Sequence, residues 1–439
     1  MKLQNVFLHN TWNDLDLFEK SPFYSWILQL PQLFGKTEFS FRLPTVIASL
    51  ALLGAVYVFC QNYFSKKTAV LATILLLTFE AYVIYSTKVS TDIIFSLFIF
   101  LAFWSWVSSK KIFTTGLFFA FALMIKGLGV APYIATLFLT TLIQPKKSHV
   151  TDFLKMLCVF LAIGLPWHLL MYLTHQKEFI QMYIVDNFYK RSAFPVEFHR
   201  ERLWFYAELL YKEAFPWLLA MVVFPLLNLK NLLNLRKNHL VYTVLLFVVI
   251  PFISISRVQT RIAWYILPLY PFIAIYLAYC LNLAIDFVSE KFPKKQQYLI
   301  LNTLYFILVT LLTLDAGRLI LKETRLFEAK QKIEPRYEII LEAKKQPQTE
   351  LNYLVAYGER QAPLILPPDE TLTNTWYYGG NACAVYYSEK KVNYFYKVEE
   401  FEKALKQKNE LYLISNQDSQ YSEGKKILFK NAEFILFTF

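Results

Sequence analysis

Long apolar runs alternate with short polar gaps over the first three quarters of the chain. A run of about 20 apolar residues can span a membrane as an α-helix. By length and apolarity we predict ten such helices, at 44–64, 68–86, 91–108, 112–125, 130–144, 153–173, 214–229, 240–255, 262–285 and 298–314. The runs 112–125 and 214–229 are short, so each is a candidate for a tilted or re-entrant segment.

Basic residues occupy every second gap between these runs. Three gaps contain lysine pairs and two more contain basic groups: Lys66-Lys67, Lys110-Lys111, Lys146-Lys147, Lys230/Arg236/Lys237 and Lys291/Lys294/Lys295. Short loops rich in Lys and Arg remain cytoplasmic. The other gaps are therefore predicted to face the opposite compartment, and they are 1–43, 87–90, 126–129, 174–213, 256–261 and everything after 315. Because these gaps hold the unusual acidic, His and Arg residues, we expect the chemistry on one outward face.

The composition changes near residue 318. Short alternating or apolar runs at 353–357, 384–387, 392–396 and 411–414 predict strands, and 398–407 predicts a helix. The predicted fold class is an α-helical polytopic membrane protein of about ten or more spans with a small C-terminal α/β domain. We divide it into an outer loop with amphipathic interfacial helices (1–43), a transmembrane domain (44–317) and an extracytoplasmic α/β domain (318–439).

The composition agrees with a membrane protein, since 56% of the residues are hydrophobic and only 18% are charged. The net charge of +12 lies in short loops, so we interpret it as a topology signal with anionic-lipid contact, and not as a nucleic-acid surface. Of four cysteines, only Cys383 lies outside an apolar run, so no intrachain disulfide is expected. Without a Gly-rich nucleotide loop or a Gly-x-Ser-x-Gly motif, ATP and soluble nucleotide-sugar donors are not supported.

Lys20 is the first candidate site residue. It follows Glu19 at the head of an aromatic amphipathic stretch. Such a lysine suits a phosphate at the headgroup level, with the aromatic rings in the interface. The alternative is an ordinary interfacial helix with a snorkelling lysine, and the spacing alone favours it.

Asp92 and Lys126 lie at the ends of predicted spans. Asp92 is either a cap or dipole partner at a helix start, or a functional acid at the membrane boundary. Lys126 lies on the predicted outer side, against the usual distribution of positive charge, although it could serve only as an interfacial anchor.

Two outer loops carry further cations beside aromatic residues. The loop 174–213 contains Asp186-Asn187, Arg191, His199, Arg200 and Arg202, and the loop 256–261 contains Arg257 and Arg261. These cations could bind an anionic headgroup. The alternatives are a solvated charged loop and arginine anchors next to an aromatic belt. His199 has no partner at metal-ligand spacing, so it is a weak metal signal on its own.

Short motifs in a shared order give a family resemblance over roughly residues 18–285. They are Phe18-Glu19-Lys20-Ser21-Pro22-Phe23-Tyr24, Phe41-Arg42-Leu43-Pro44, Ser90-Thr91-Asp92, Ile125-Lys126-Gly127, Leu165-Pro166-Trp167, Asp186-Asn187 with Arg191, His199 before Phe215-Pro216-Trp217, and Trp264-Tyr265 with Leu267-Pro268-Leu269-Tyr270-Pro271. In this order they resemble the bacterial membrane glycosyltransferases related to protein O-mannosyltransferases, of GT-C-like fold. The branch containing the lipid A aminoarabinose transferase is the most similar. The C-terminal domain resembles the family only in its placement.

The resemblance implies sugar transfer from a polyprenyl-phosphate donor to a lipid, glycan or protein hydroxyl, at the outer face of a bacterial inner membrane. By matched position, Lys20 and Asp92 would be catalytic. Donor-phosphate contacts would come from Lys20, Lys126, Arg191, Arg200, Arg202 and Arg261. Glu19 and His199 match positions that hold a metal in some relatives, which makes a divalent metal a candidate cofactor.

The chain departs from the family pattern in ways that leave a rival open. Ser21 and Leu128 replace frequent prolines. Relatives carry a first membrane helix and an acidic Asp-Glu motif upstream of the Glu-Lys motif, and Asp14 and Asp16 do not match that motif. We therefore expect this helix and the catalytic acid to be encoded upstream of Met1. The rival is a non-catalytic lipid-handling or transport protein, or an inactive partner, on the same scaffold.

Overall fold

The computed structural model describes residues 8–108, 111–143, 147–215, 217–219, 239–329, 334–359, 367–373, 383–405 and 410–438. Most of the predicted span 214–229 and the basic group Lys230/Arg236/Lys237 lie outside these residues, as do Lys110 and Lys146. The chain forms two compact units. One comprises Lys20–Thr174 and His199–Arg325, and the other comprises Met1–Glu19, His175–Phe198 and Leu326–Phe439. We call them the helical unit and the sheet unit.

The helical unit is built from apolar helices in chain order. Their bounds are α1 Phe23–Gln32, α2 Glu38–Tyr63, α3 Lys66–Thr78, α4 Glu80–Ser86, α5 Thr91–Val107, α6 Ile112–Lys126, α7 Ala131–Ile143, α8 Lys147–Phe179, α10 Phe205–Ala214, α11 His239–Arg257, α12 Tyr270–Ser289 and α13 Lys294–Ala329. The short α9, Arg191–Ala193, belongs to the sheet unit. Helices α2, α3 and α5 begin where Thr37, Ser65 and Ser90 accept hydrogen bonds from free backbone N–H groups of the first turn.

Within the described ranges, six helices are long and apolar enough to cross a membrane: Glu38–Tyr63, Ile112–Ile143, His149–Ala193, His239–Arg257, Ala263–Ser289 and Lys294–Arg325. A seventh span results if α3 and α4, bent by 78° at Phe79, are counted as one. Helix α5 is apolar but shorter. The predicted count of ten or more is thus not confirmed. One reason is that the predicted runs 112–125 and 130–144 join through the 3₁₀ turn Gly127–Val130 into one stretch. The predicted loop sides remain predictions.

Aromatic side chains form the centre of the helical unit. The ring of Phe103 on α5 lies 5.2 Å from Phe59 on α2, and 5.0 Å from both Phe247 on α11 and Phe272 on α12, measured between centroids. Offset and edge-to-face pairs at these distances add to the burial energy of the rings. One buried ring on α5 therefore joins four helices.

The sheet unit contains a five-stranded mixed sheet in the order β4-β3-β5-β7-β6. Its strands are β3 Glu350–Leu354, β4 Lys391–Phe395, β5 Leu411–Ser415, β6 Lys426–Lys430 and β7 Phe434–Thr438, and its helices are α14 Pro335–Lys344, α15 Cys383–Ser388 and α16 Val398–Ala404. Strand β3 pairs in parallel with β4 and β5, whereas β7 pairs antiparallel with β5 and β6. A separate hairpin, β1 Asn10–Trp12 and β2 Leu15–Leu17, belongs to the same unit.

The small C-terminal sheet domain is confirmed, with one element wrong. The predicted strands at 392–396 and 411–414 correspond to β4 and β5, and the predicted helix at 398–407 corresponds to α16 where it is described. The predicted strand at 353–357 overlaps β3 only at its first two residues, because β3 runs from Glu350 to Leu354. The run 384–387, predicted as a strand, is helix α15. Ala384 and Ser388 are both buried one helical turn apart, and the ring of Tyr387 packs edge-to-face on Tyr337 of α14. This short apolar run forms a helix because the helical spacing buries these residues against α14.

Gly116 of α6 permits close contact between helices, and this gives a prediction about stability. A Cβ atom at Gly116 would lie 2.7 Å from the Met156 carbonyl oxygen and 2.7 Å from Val159 Cβ, both on α8. We expect Gly116→Ala to lower the free energy of unfolding by about 1–3 kcal/mol, because the backbone of α8 must move. Thermal unfolding of the detergent-solubilised protein measures this.

The matched control is Gly54→Ala on α2, where nothing lies within 4 Å of an added Cβ. We expect this variant to unfold at or above the wild-type temperature, because alanine favours a helix. Equal unfolding temperatures for the two variants would contradict the close α6–α8 contact.

Candidate functional site

Asp92 is a buried acid at the first turn of α5. Only 5% of the residue is exposed. The hydroxyl of Ser90 donates to Asp92 Oδ2 at 3.0 Å and accepts from the Asp92 backbone N–H at 3.1 Å. The Ser90 hydroxyl therefore both caps α5 and holds the Asp92 carboxylate in place. The positive end of the α5 dipole also favours a negative charge here.

Lys126 supplies the opposite charge from the last residue of α6. Its ammonium forms an ion pair with Asp92 Oδ1. It also lies 4.8 Å from the centroid of the Tyr265 ring and 5.5 Å from that of Phe95. Gly127 ends the helix with φ +60°, a backbone conformation that glycine adopts without strain. The Lys-Gly pair thus ends α6 with the lysine against Asp92.

The segment that carries Lys20 is attached next to Lys126. The hydroxyl of Ser21 is buried and donates to the Met124 carbonyl at 2.5 Å, two residues before Lys126. The same hydroxyl accepts from the Phe23 backbone N–H at 3.3 Å, at the start of α1. Ser21, noted above as a departure from a frequent proline, therefore joins the Lys20 backbone to the end of α6. The predicted residues Lys20, Asp92 and Lys126 lie on segments that the helical unit brings together.

Two buried hydroxyls beside this group were missed by the sequence analysis. They belong to Tyr24 on α1 and Thr45 on α2, which face each other, and neither has another hydrogen-bond partner in the described part of the chain. Burial raises the pKa of Tyr24 well above its usual value, and the nearby charge of Asp92 raises it further. Tyr24 stands in the Glu-Lys motif and Thr45 follows Pro44, so both were adjacent to recognised signals.

Arg261 is buried but holds a loop together. Its Nε donates to the Ser256 carbonyl at 3.1 Å, and its Nη1 donates to the Glu201 carbonyl at 2.5 Å. Its backbone N–H donates to the His199 carbonyl, while Arg200 forms a β-bridge with Thr260. Arg200 and Arg202 are exposed. The segments 199–201 and 256–261 are therefore held together, and the side chain of Arg261 connects them.

The sheet unit holds the other predicted residues, around the π-helix Ile180–Lys190, a rare form often found at functional sites. Asp186 accepts from the Thr373 backbone N–H at 2.7 Å, and Asn187 donates to the Glu19 carbonyl at 2.6 Å. Arg191 Nη2 lies 3.7 Å from Glu197 Oε2, within ion-pair distance. Glu19, Asp186, Asn187 and Arg191 line one small cavity. Asn187 thereby fixes the backbone of the residue that directly precedes Lys20.

The two predicted metal ligands belong to different units. Glu19 belongs to the sheet unit and His199 to the helical unit. Across the described ranges, no group of three or more His, Cys, Asp or Glu side chains is arranged to hold a metal ion. The candidate divalent metal therefore stays a prediction from the resemblance.

Comparisons with known proteins agree with the motifs. Residues 19–171 match the family of dolichyl-phosphate-mannose-protein mannosyltransferases. An uncharacterised protein of Aquifex aeolicus (strain VF5) is 27% identical over 314 residues, covering 69% of this chain and 60% of that protein. An undecaprenyl phosphate-alpha-4-amino-4-deoxy-L-arabinose arabinosyl transferase of Shewanella sediminis (strain HAW-EB3) is 25% identical over 286 residues, covering 61% and 50%. The matches span about half to three fifths of these relatives.

Solved structures show the same fold. The crystal structure of ArnT from Cupriavidus metallidurans bound to undecaprenyl phosphate superposes with a TM-score of 0.69 and 13% identity, covering 98% of this chain and 90% of that chain. The apo state of that protein gives a TM-score of 0.66 and 14% identity, with 98% and 89% covered.

The chain therefore has the same fold as these solved structures, and it contains helices long and apolar enough to cross a membrane. The predicted resemblance to the bacterial glycosyltransferases of the protein O-mannosyltransferase and lipid A aminoarabinose transferase type is confirmed.

The Asp92–Lys126 pair predicts non-additive stability changes. Removing one partner of a buried ion pair costs about 3–5 kcal/mol, because it leaves an uncompensated charge. We expect Lys126→Met to lower the free energy of unfolding by about that amount, and Asp92→Asn combined with Lys126→Met to recover a large part of it. Thermal unfolding in detergent gives the coupling, with the exposed Lys88→Met as the control. Additive losses for the two substitutions would contradict the pair.

Proposed function

We propose that the protein transfers a sugar from a polyprenyl-phosphate donor to a hydroxyl of a lipid, glycan or protein acceptor. The observation that carries the proposal is the buried Asp92–Lys126 pair, with the Lys20 segment attached to the same helix end. A charge pair at the ends of apolar helices is costly and is more often functional than structural. The proposed location is the outer face of the bacterial inner membrane, with the sheet unit extracytoplasmic.

Cations are needed where negative charge grows on the departing lipid phosphate. Lysine ammonium groups held in a nonpolar environment stabilise such charge strongly, because little water competes. We assign this role to Lys20 and Lys126, with Arg191, Arg200, Arg202 and Arg261 as supporting cations. Arg261 would support the site by holding its loop, since its donors bind backbone carbonyls.

An acid is needed to accept the proton of the attacking hydroxyl. Asp92 is neutralised by Lys126 in the structure. If the donor phosphate draws the Lys126 ammonium toward itself, the Asp92 carboxylate is released from the ion pair and can accept the proton of the attacking hydroxyl. The Tyr24 hydroxyl faces Thr45 and is influenced by the charge of Asp92, so we assign these two hydroxyls to the orientation of polar groups of a substrate.

A lipid donor also fits the surface of α1. After Lys20, the chain exposes Leu30, Leu33 and Phe34, and the last of these is 94% exposed. Apolar side chains on an amphipathic helix insert into the boundary between headgroups and acyl chains. A prenyl chain beside α1 would place its phosphate at the level of Lys20. The relatives named for undecaprenyl phosphate support the same donor class.

The test is acceptor-independent, because release of polyprenyl phosphate accompanies transfer to any acceptor. Membranes containing the protein are supplied with undecaprenyl-phosphate-linked sugars, and free undecaprenyl phosphate is measured by mass spectrometry. We expect Lys20→Ala and Asp92→Asn each to reduce release by at least about 100-fold, a usual cost of losing one catalytic group. We expect Lys20→Ala to weaken donor binding as well, whereas Asp92→Asn mainly lowers turnover.

Lys88→Ala is the matched control, since Lys88 is an exposed lysine in the loop before Asp92 and should leave release within about twofold. Full release by Lys20→Ala and Asp92→Asn would refute the proposal. Donor binding without any release by the wild type would favour the lipid-handling or inactive-partner alternative. Comparing lipid and protein glycans with and without the gene then identifies the sugar and the acceptor.

A further inference from the structure

A buried carboxyl away from the Asp92–Lys126 pair joins three elements of the helical unit. Glu213, near the end of α10, accepts from the Ala81 backbone N–H at 3.1 Å with Oε1. Its Oε2 accepts from the Tyr270 hydroxyl at 2.5 Å. Ala81 lies just after the bend between α3 and α4, and Tyr270 begins α12. We call this three-way junction the Glu213 joint.

Stacked aromatic rings also stabilise the Glu213 joint. Phe79, at the bend, stacks on Tyr270 with 4.4 Å between ring centroids and 6° between planes, and both residues are fully buried. The Ala81 N–H belongs to the first turn of α4 and has no partner within that helix. Glu213 therefore meets a backbone donor that the 78° bend leaves unpaired.

Both elements held by the joint lead to the Asp92–Lys126 site. Helix α4 continues to Tyr85, whose ring lies 5.7 Å from that of Trp264, and a short loop then reaches Asp92. The 3₁₀ segment Ala263–Leu269, which ends at Tyr270, carries Tyr265 against the Lys126 ammonium. A movement at the Glu213 joint would thus displace Asp92 through α4 and displace Lys126 through the 3₁₀ segment.

We propose that Glu213 is a positioning residue for the Asp92–Lys126 site, and that its ionisation loosens the joint and reduces sugar transfer. The part concerning transfer rests on the proposed function. Glu213 itself touches no reacting group in this assignment, and it acts through α4 and the 3₁₀ segment.

The charges around Glu213 set the direction of the effect. Burial raises the pKa of Glu213 to about 7, while its bonds to Tyr270 and Ala81 oppose this and the Glu80 charge on α4 adds to it. Glu80 pairs with Lys322 on α13 at 2.5 Å. In the described part of the chain, the elements that pack most closely on α10 are the 3₁₀ segment and α11, which carry Tyr265, His239, Tyr242 and Arg257. Because the pKa of Glu213 is higher in the folded protein than the value of 4.5 for an exposed glutamate, the joint is most stable below about pH 4.5. This stability is lost as the pH rises through about 7.

Amide hydrogen exchange of the full-length protein in detergent tests the joint without any sugar donor. A carboxyl that titrates at about 7 in the closed joint and near 4.5 when exposed predicts an opening constant that rises about tenfold from pH 6 to pH 8. We expect this rise, after correction for intrinsic exchange, in peptides covering 80–90 and 263–270. Glu213→Gln, which keeps one acceptor oxygen for the Ala81 N–H, turns an amide N–H toward the Tyr270 oxygen and cannot ionise, should abolish the pH dependence. Glu213→Ala should exchange rapidly at every pH.

Transfer rates provide the second measurement. Relative to Glu213→Gln, the wild type should lose activity as pH rises from 6 to 8, whereas Glu213→Ala should be impaired throughout. Glu208→Gln, an exposed glutamate on the same helix, should match the wild type in both measurements. A wild-type exchange profile indistinguishable from that of Glu213→Gln would overturn the proposal. If no sugar transfer were found at all, the proposed function would fail, while the exchange experiment would still decide whether Glu213 controls the joint.

Discussion

The ion pair between Asp92 and Lys126 is the interaction on which the arrangement of the helical unit depends. It joins the beginning of α5 to the end of α6, and each end is prepared for it by its neighbours: Ser90 on the acidic side and Gly127 on the basic side. Two charges removed from water are stable only when they are paired and further hydrogen-bonded. The pair therefore joins two helix ends and, under the proposed function, holds two groups that the substrate would separate.

The sequence predicted the helical membrane fold, the sheet domain and both members of this pair as separate candidates, because each leaves a local signal, but it did not predict their contact. Apolar length marks spans, and an acid or a lysine at a span end is conspicuous against its surroundings. The number of spans was harder, because a bend at Phe79 and a continuous stretch through Gly127–Val130 cannot be distinguished from chain reversals by hydropathy alone. The helix at Cys383–Ser388 was mistaken for a strand, since four apolar residues fit both periods.

The sequence could not predict which side chains contact each other across the fold. Ser21 differs from a common proline in the motif, yet its hydroxyl makes the bond that joins the Lys20 segment to α6. Glu213 stood at the edge of a charged loop with no distinguishing neighbour. Its importance emerges only from partners on α4 and α12, about 130 and 57 positions away in sequence. Tyr24 and Thr45 similarly become part of one polar group only after α1 packs on α2.

The hairpin near the beginning of the chain has a consequence for how the molecule is made. The Asn13 side chain donates to the Val392 carbonyl at 2.6 Å and accepts from the Val392 backbone N–H at 2.9 Å. An amide side chain here makes both bonds that a neighbouring strand would make to Val392 of the edge strand β4, so it occupies the edge at this residue, where another copy could otherwise pair. The two residues are 379 positions apart. During synthesis the hairpin must wait until nearly the whole chain has emerged, and the sheet unit closes last, after the membrane helices that separate its parts.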